Sequence, residues 1–309
     1  MTYHILKDED VARLLSMEEA IHTIEDAFRE KAEGTLVAPP RFHVSVEKGS
    51  LVFTAGAATK REKVIGFRVY DTFPHASTNT EQLVVVFDSE SGALKGIVIG
   101  GLIGAMRTGA IGGVAIKHMS RPDSRVLGIL GSGRQARTQL EAASTIRHFE
   151  RVKVYSPTRH HREAFAQEMG ARLDLDIEPA ASARAVVHDA DVLICATTSS
   201  APVFDPDWLK PGVHINSVGP KFKEAHELPV EAATQSRVIA TDSPAQIEAY
   251  PNPFFLTGTP AMQRIIDLSE IVVGKRVGRT APDDITLFCS VGLAGTEVVV
   301  ANAAIERAG

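Results

Sequence analysis

Gly131, Gly133 and Ala136, spaced G-x-G-x-x-A directly after the apolar run Val126, Leu127, Ile129 and Leu130, are the residues whose spacing best suits chemistry. A buried strand, a glycine turn and a helix start in that order make a dinucleotide site. Gly131 permits the tight turn, Gly133 lets the backbone approach a pyrophosphate, and Ala136 lets the new helix sit close on the strand, its first N–H groups facing the anion. The next strand, ending VKVY, runs into Ser156-Pro157-Thr158-Arg159. An NAD site usually places an acid here for the ribose 2′-hydroxyl, and none is present. Ser156, Thr158 and Arg159 could instead hold a 2′-phosphate, so the reading leans to NADP(H); the alternative is that Arg159 is a solvated helix-start residue and the site takes either nucleotide.

A second candidate is Arg107, alone among glycines and apolar residues in GGLIGAMRTGAIGGVA, 100–115. A guanidinium there keeps its charge and needs an anion, either a protein carboxylate or a ligand. The glycines permit close helix packing or a dimer contact. Thr197, Thr198 and Ser199 follow the apolar run DVLICA, where a doubly wound sheet opens its ligand crevice. Cys195 and Cys289 lie in apolar strand-like runs and read as buried reduced thiols. His160 and His161 begin a helix without metal-ligand spacing and read as a solvated face, and no metal is expected. H-E-x-x-H, G-x-S-x-G and C-x-x-C are absent.

The elements that would position these residues fall into two groups. Ser16 and Glu19 form a capping box ahead of a helix bearing Ile21, Ile24 and Phe28 on one face, with Gly34 as its stop. Short strand patterns follow at 41–46, 51–55, 64–70, 83–88 and 94–99 with no helices between them, which predicts a mainly antiparallel sheet. From Ser120 onward strands alternate with helices (152–155, helix 160–169, 191–196, 213–218, 238–241, 285–289), the pattern of a doubly wound parallel sheet. A last helix, 296–307, is expected to pack on the first domain. The fold class is therefore α/β: a Rossmann doubly wound parallel sheet plus an α+β domain with a mainly antiparallel sheet. The boundaries are placed at 1–117 for the α+β domain, completed by 293–309, and 118–292 for the NAD(P) domain.

The chain of 309 residues is 44% hydrophobic and 23% charged, with a formal net charge of −5 and a pI of about 6.1. No basic block is present, so nucleic acid is not an expected partner. Acids stand at the N-terminus where a signal peptide would be basic and apolar, and no apolar run reaches membrane length, so a cytoplasmic protein without membrane partners is expected.

LKDEDVARLLSMEEAI (6–21), IGAMRTGAIGGVAIKHM (103–119), GILGSGRQA (128–136), CATTSS (195–200) and ITLFCSVGLAGTEV (285–298) together resemble the ornithine cyclodeaminase/mu-crystallin family over nearly the whole chain. The resemblance implies a homodimer in which 1–117, completed by 293–309, is the substrate-binding and dimerisation domain, with hydride transfer between nicotinamide C4 and the α-carbon of a small amino or imino acid. It extends the cofactor contacts to Gly131, Ser132, Gly133, Arg134, Gln135, Ala136, Ser156, Thr158, Arg159, Thr197, Thr198, Val218 and Gly292. It also places Arg41 and Arg107 on the carboxylate-binding arginines.

Two positions depart from the family. Arg68 in GFRVY stands where a substrate-contacting lysine is usual, and Lys221 in VGPK stands where cyclodeaminases carry an aspartate. Arginine binds and orients but is a poor proton donor, whereas Lys221 could donate a proton if burial lowered its pKa, or have no role as a solvated loop lysine. Glu227 is expected to cap the following helix, and Asp284 to be a loop carboxylate. Arg41, Arg68, Arg107 and Lys221 would make a positively charged pocket poorly suited to a diamine. The expected activity is an NAD(P)-dependent imine or ketimine reductase, or an alanine-dehydrogenase-like enzyme. A cyclodeaminase releasing ammonia with recycled NAD, and a non-catalytic crystallin-like nucleotide binder, are the alternatives. The loops 74–82 and 249–257 are expected to shape substrate selectivity.

Overall fold

The structure, a computed structural model, describes residues 3–74 and 82–309, so most of the 74–82 loop lies outside the described residues. The chain divides into two compact units, 1–110 with 292–309, and 111–291. The division falls inside helix Leu102–Met119, which contributes its first half to one unit and its second half to the other.

The first unit is built on a seven-stranded sheet in the order His4–Lys7, Leu94–Ile99, Gln82–Asp88, Val64–Asp71, Gly49–Ala58, Leu36–Val37, with Phe42–Val46 also paired to Gly49–Ala58. All pairings are antiparallel except that of the first strand, which runs parallel to Leu94–Ile99. Helix Met17–Glu33 opens with the Ser16/Glu19 capping box and ends at Gly34 in the left-handed conformation, φ 79°. The closing helix, Thr296–Ala308, is buried along most of its length. It lies against a row of small residues in register across the sheet, Gly56, Gly66, Val86 and Gly96. A Cβ at Gly56 would stand 2.6 Å from Gly295 Cα, one at Gly66 3.2 Å from Val298 Cγ1, and one at Gly96 2.9 Å from Ile305 Cδ1. Only glycine lets the helix come this close.

The opposite face of that sheet is apolar and open. Ile5, Ile97, Val85, Phe67 and Ala55 follow one another in register across five strands, flanked by Ile65, Leu83 and Leu51. Ile5 is 56% and Ile65 47% exposed.

The second unit holds an eight-stranded, all-parallel sheet in the order Ile177–Pro179, Arg151–Tyr155, Val126–Leu130, Val192–Cys195, His214–Ser217, Thr286–Cys289, Val238–Thr241, Ile265–Asp267. Strand order reverses between Val126–Leu130 and Val192–Cys195, which makes that gap the topological switch point of a doubly wound fold. Both faces are covered: Leu127, Ile129, Val152 and Val154 pack in one apolar cluster, and Leu130, Leu193, Cys195 and Ile215 in the other. Within 249–257, Phe254, Phe255 and Leu256 belong to the second cluster, while Ala249, Pro251, Asn252, Pro253 and Thr257 are exposed. Both cysteines are buried free thiols; burial pushes Cys195 well up and Cys289 to about 12.

A buried polar chain crosses the parallel sheet. Asn216 Nδ2 donates to the Gly112 carbonyl, so its oxygen faces His214 Nε2 at 2.8 Å, and His214 Nδ1 lies 2.9 Å from Thr286 Oγ1. Burial lowers the His214 pKa from 6.5 to about 3. The unfolded chain therefore binds a proton between these values that the folded chain does not, and stability is lost as the pH falls below 6.5. The expected cost at pH 5 is about 2 kcal/mol. Urea unfolding at pH 7.5 and 5.0 measures it, and a His214→Asn variant should show a shallower pH slope.

Candidate active site

In the second unit the strand Val126–Leu130 ends at Gly131, whose φ of 108° only glycine adopts easily. A Cβ there would collide with the Ala196 carbonyl oxygen. Gly133 then caps helix Arg134–Ile146, and Ala136 is fully buried against the strand. A crevice of about 570 Å³ opens over this turn, lined by Gly131, Ser132, Gly133, Ser156, Thr197 and Thr198 together with Tyr155, Pro157, Arg137 and His161. Ser132 Oγ donates to Ser156 Oγ at 3.1 Å, tying the glycine turn to the end of the next strand.

The other expected cofactor residues are distributed differently. Arg134, Gln135 and Ala136 form the start of the helix behind the turn and do not line the crevice, nor do Thr158 and Arg159. Arg159 is the first residue of helix Arg159–Leu173, its side chain 80% exposed and paired with Glu163 at 2.7 Å. His161, read from sequence as a solvated helix residue, is exposed on helix Arg159–Leu173 and also borders the crevice. Thr197 Oγ1 is engaged within the protein, donating to Glu227 and accepting from Ser199 N. Gly292 lies in the first unit beside the arginines.

Glu227 does not cap the following helix, whose N-cap is Pro229 without a side-chain bond. Its carboxylate is fully buried and accepts from Thr197, Ser217, Val218 and Gly219. Backbone donors at two strand ends outcompeted the helix terminus. Lys221 is 4% exposed rather than solvated, and its Nζ donates to the Gly219 carbonyl at 2.6 Å. Burial pulls its ammonium below the ordinary lysine pKa, against the opposing pull of Glu227, Cys289 and Asp242. Asp284 binds the N–H groups of Thr280 and Ala281 and shapes that turn.

The first unit gathers the three arginines. Helix Leu102–Met119 starts where Gly101 N and Leu102 N donate to Asp8, which fixes the turn leading to Arg107. Arg68 comes from the buried face of strand Val64–Asp71. Between them stands Glu297, from the first turn of the closing helix and 1% exposed, a residue the sequence reading did not single out. Glu297 Oε1 accepts from Arg68 Nη1 at 3.2 Å and pairs with Arg107 Nη2 at 3.0 Å. Burial pushes the Glu297 carboxyl up, but Arg107, Arg68 and Arg41 outweigh it and hold the group below the usual carboxylate range.

Arg68 is committed inside the protein. Its Nε and Nη2 donate to Gln82 Oε1 at 3.2 and 2.6 Å, and it stacks 4.3 Å from the Tyr70 ring. Arg107 is not. Its Nε and Nη1 are buried with no hydrogen-bond partner among the described residues. A Cβ at Gly292 would lie 2.8 Å from Arg41 Nη2 and 3.4 Å from Arg107 Nη1, so the two guanidiniums converge on one spot. The anion foreseen for Arg107 is thus a protein carboxylate at Nη2 only; Nη1, on the side of Gly292 and Arg41, can take a ligand carboxylate.

Among the described residues no cluster of three or more His, Cys, Asp or Glu could hold a metal, and no helix is long and apolar enough to cross a membrane.

Known proteins share this architecture. Δ(1)-pyrroline-2-carboxylate reductase of Thermococcus litoralis, solved with NADH and L-proline, superposes with a TM-score of 0.90 at 34% identity, covering 98% of this chain and 97% of its own. An archaeal alanine dehydrogenase dimer with bound NAD gives 0.89 at 28% identity, covering 100% and 96%. The ketimine reductase mu-crystallin of Macropus fuliginosus is 31% identical over 309 residues, 96% of this chain and 95% of its own. Residues 1–309 match the family as a whole, and the chain belongs to the ornithine cyclodeaminase/mu-crystallin family.

Proposed function

We propose that the protein is an NAD(P)-dependent oxidoreductase moving hydride between nicotinamide C4 and the α-carbon of an amino acid or its imine. The observation that carries this reading is the buried, unpartnered Nη1 of Arg107 converging with Arg41 on Gly292, a carboxylate receptor within a family in which one solved reductase holds L-proline and NADH. In this reading Arg41 and Arg107 bind the α-carboxylate. Arg68, its nitrogens given to Gln82 and Glu297, acts as a fixed cation. Lys221 is the proposed proton donor, its lowered pKa bringing it nearer the range where proton exchange is efficient. Three guanidiniums against the single carboxylate Glu297 disfavour a diamine substrate, which argues against cyclodeamination.

For the cofactor we favour NADP(H). The second strand ends without an acid, and Ser132, Ser156, His161 and Arg137 border that side of the crevice. A homodimer would cover the open apolar face running from Ile5 to Ala55, an area that a lone subunit leaves in water.

The test is absorbance at the nicotinamide band with NADPH or NADH, ammonium, and a panel of 2-oxo acids and cyclic imines. Oxidation is expected, with NADPH favoured about tenfold or more by a charge-assisted contact to its 2′-phosphate. No oxidation across the panel, with ammonia released from ornithine and no net nucleotide change, would overturn the reading.

A further inference from the structure

Glu227 is a buried carboxylate of the second unit that accepts five hydrogen bonds, yet nothing in the proposed chemistry employs it. Its Oε2 accepts from Thr197 N and Thr197 Oγ1, both at 2.9 Å, and its Oε1 from Ser217 Oγ at 2.8 Å, Val218 N at 3.2 Å and Gly219 N at 2.6 Å. These donors sit just beyond two neighbouring strands, Val192–Cys195 and His214–Ser217. Gly219 is held from both sides, because its carbonyl accepts from Lys221 Nζ. A side chain at Gly219 would strike Glu227 Oε2 and the Thr197 carbonyl.

The location gives this arrangement a function. With the pyrophosphate on the turn after Val126–Leu130, the strand on one side, Arg151–Tyr155, borders the adenosine half of a dinucleotide. The strands on the other side, Val192–Cys195 and His214–Ser217, border the nicotinamide half. Thr197 lines the crevice while Glu227 does not.

We propose that Glu227 is a positioning residue for the nicotinamide half of the cofactor, fixing Thr197 and the Val218–Gly219 backbone through one shared carboxylate. The proposal rests on the dinucleotide reading of the crevice. A carboxylate suits the task because it accepts from all five partners; an amide in either orientation would turn its NH2 against one or two backbone N–H groups, which can only donate.

The test is titration of wild type, Glu227→Gln and Ser217→Ala with NADPH, NADH and ADP-ribose, the last lacking nicotinamide. Glu227→Gln is expected to weaken NAD(P)H binding about 10–100-fold, raising its KM more than it lowers kcat, with ADP-ribose affinity unchanged. Ser217→Ala, which keeps the carboxylate and removes one donor, should lose affinity selectively in the same direction by a smaller factor, and it decides the matter if Glu227→Gln does not fold. Equal losses for all three ligands, or unchanged binding with only a lower Tm, would overturn the proposal while leaving the dinucleotide site standing. Wild type binding none of them would overturn both.

Discussion

Alanine at Arg107 is expected to lower kcat/KM for substrates bearing an α-carboxylate by about 10²–10⁴-fold, on the scale seen when one partner of a buried charged hydrogen-bonded pair is removed. The size follows from burial. Arg107 is 8% exposed, and its Nε and Nη1 have no partner among the described residues, so a bound carboxylate would meet donors already stripped of water. Arg107→Lys keeps the charge but loses the fork and should fall between. Amides of the same substrates, without the negative charge, should react poorly with wild type and be little affected by the change. Steady-state kinetics with both substrate series make the comparison, and an unchanged KM for the carboxylates in Arg107→Ala would remove Arg107 from the site.

Glu297→Gln should cost the first unit about 3–5 kcal/mol, the penalty for leaving buried charge without its partner. Glu297 Oε1 is shared by Arg68 and Arg107, and Arg41 adds to the field around it. With the carboxylate neutralised, the guanidiniums repel one another in a space that water cannot easily enter. A fall in Tm on the order of 10 °C is expected for the transition of that unit. Calorimetry measures it. Pairing the change with Arg68→Gln should recover part of the loss, because one of the opposed charges is then gone. A Tm within about 2 °C of wild type would show that the triad does not hold the unit together.

The legibility of these features in the sequence followed the range of the interactions behind them. The capping box at Ser16 and Glu19, the left-handed stop at Gly34 and the glycine turn at 131 are local, and the structure has them where the spacing put them. Most of the longer strands were visible for the same reason; His4–Lys7, Leu36–Val37, Ile177–Pro179, Lys221–Phe222, Ala225–His226 and Ile265–Asp267 were not, being too short to show a pattern. Partners distant in sequence were not legible. Arg68 meets Glu297 across 229 positions, and the first turn of an apolar helix gives no sign that its one acid will serve two arginines. Glu227 was visible as a candidate but its role was misjudged, since the helix start at Val230 lies nearer to it along the chain than the strand ends at Cys195 and Ser217. His161 is exposed as its helix position suggested, but that it also borders the crevice is not fixed by composition.

The glycine row beneath the closing helix bears on how the chain can assemble as it is made. Residues 1–110 leave the ribosome before 111–291, but the element that fits their row of glycines, Thr296–Ala308, leaves after both. The parallel-sheet unit, continuous from 111 to 291, has every strand it needs before that helix emerges. The middle of the protein can therefore finish folding ahead of its beginning, while the antiparallel sheet waits with its helix-binding groove uncovered. Such a nascent chain is a natural client for a chaperone, and termination before Thr296 would strand the first unit in that unfinished condition.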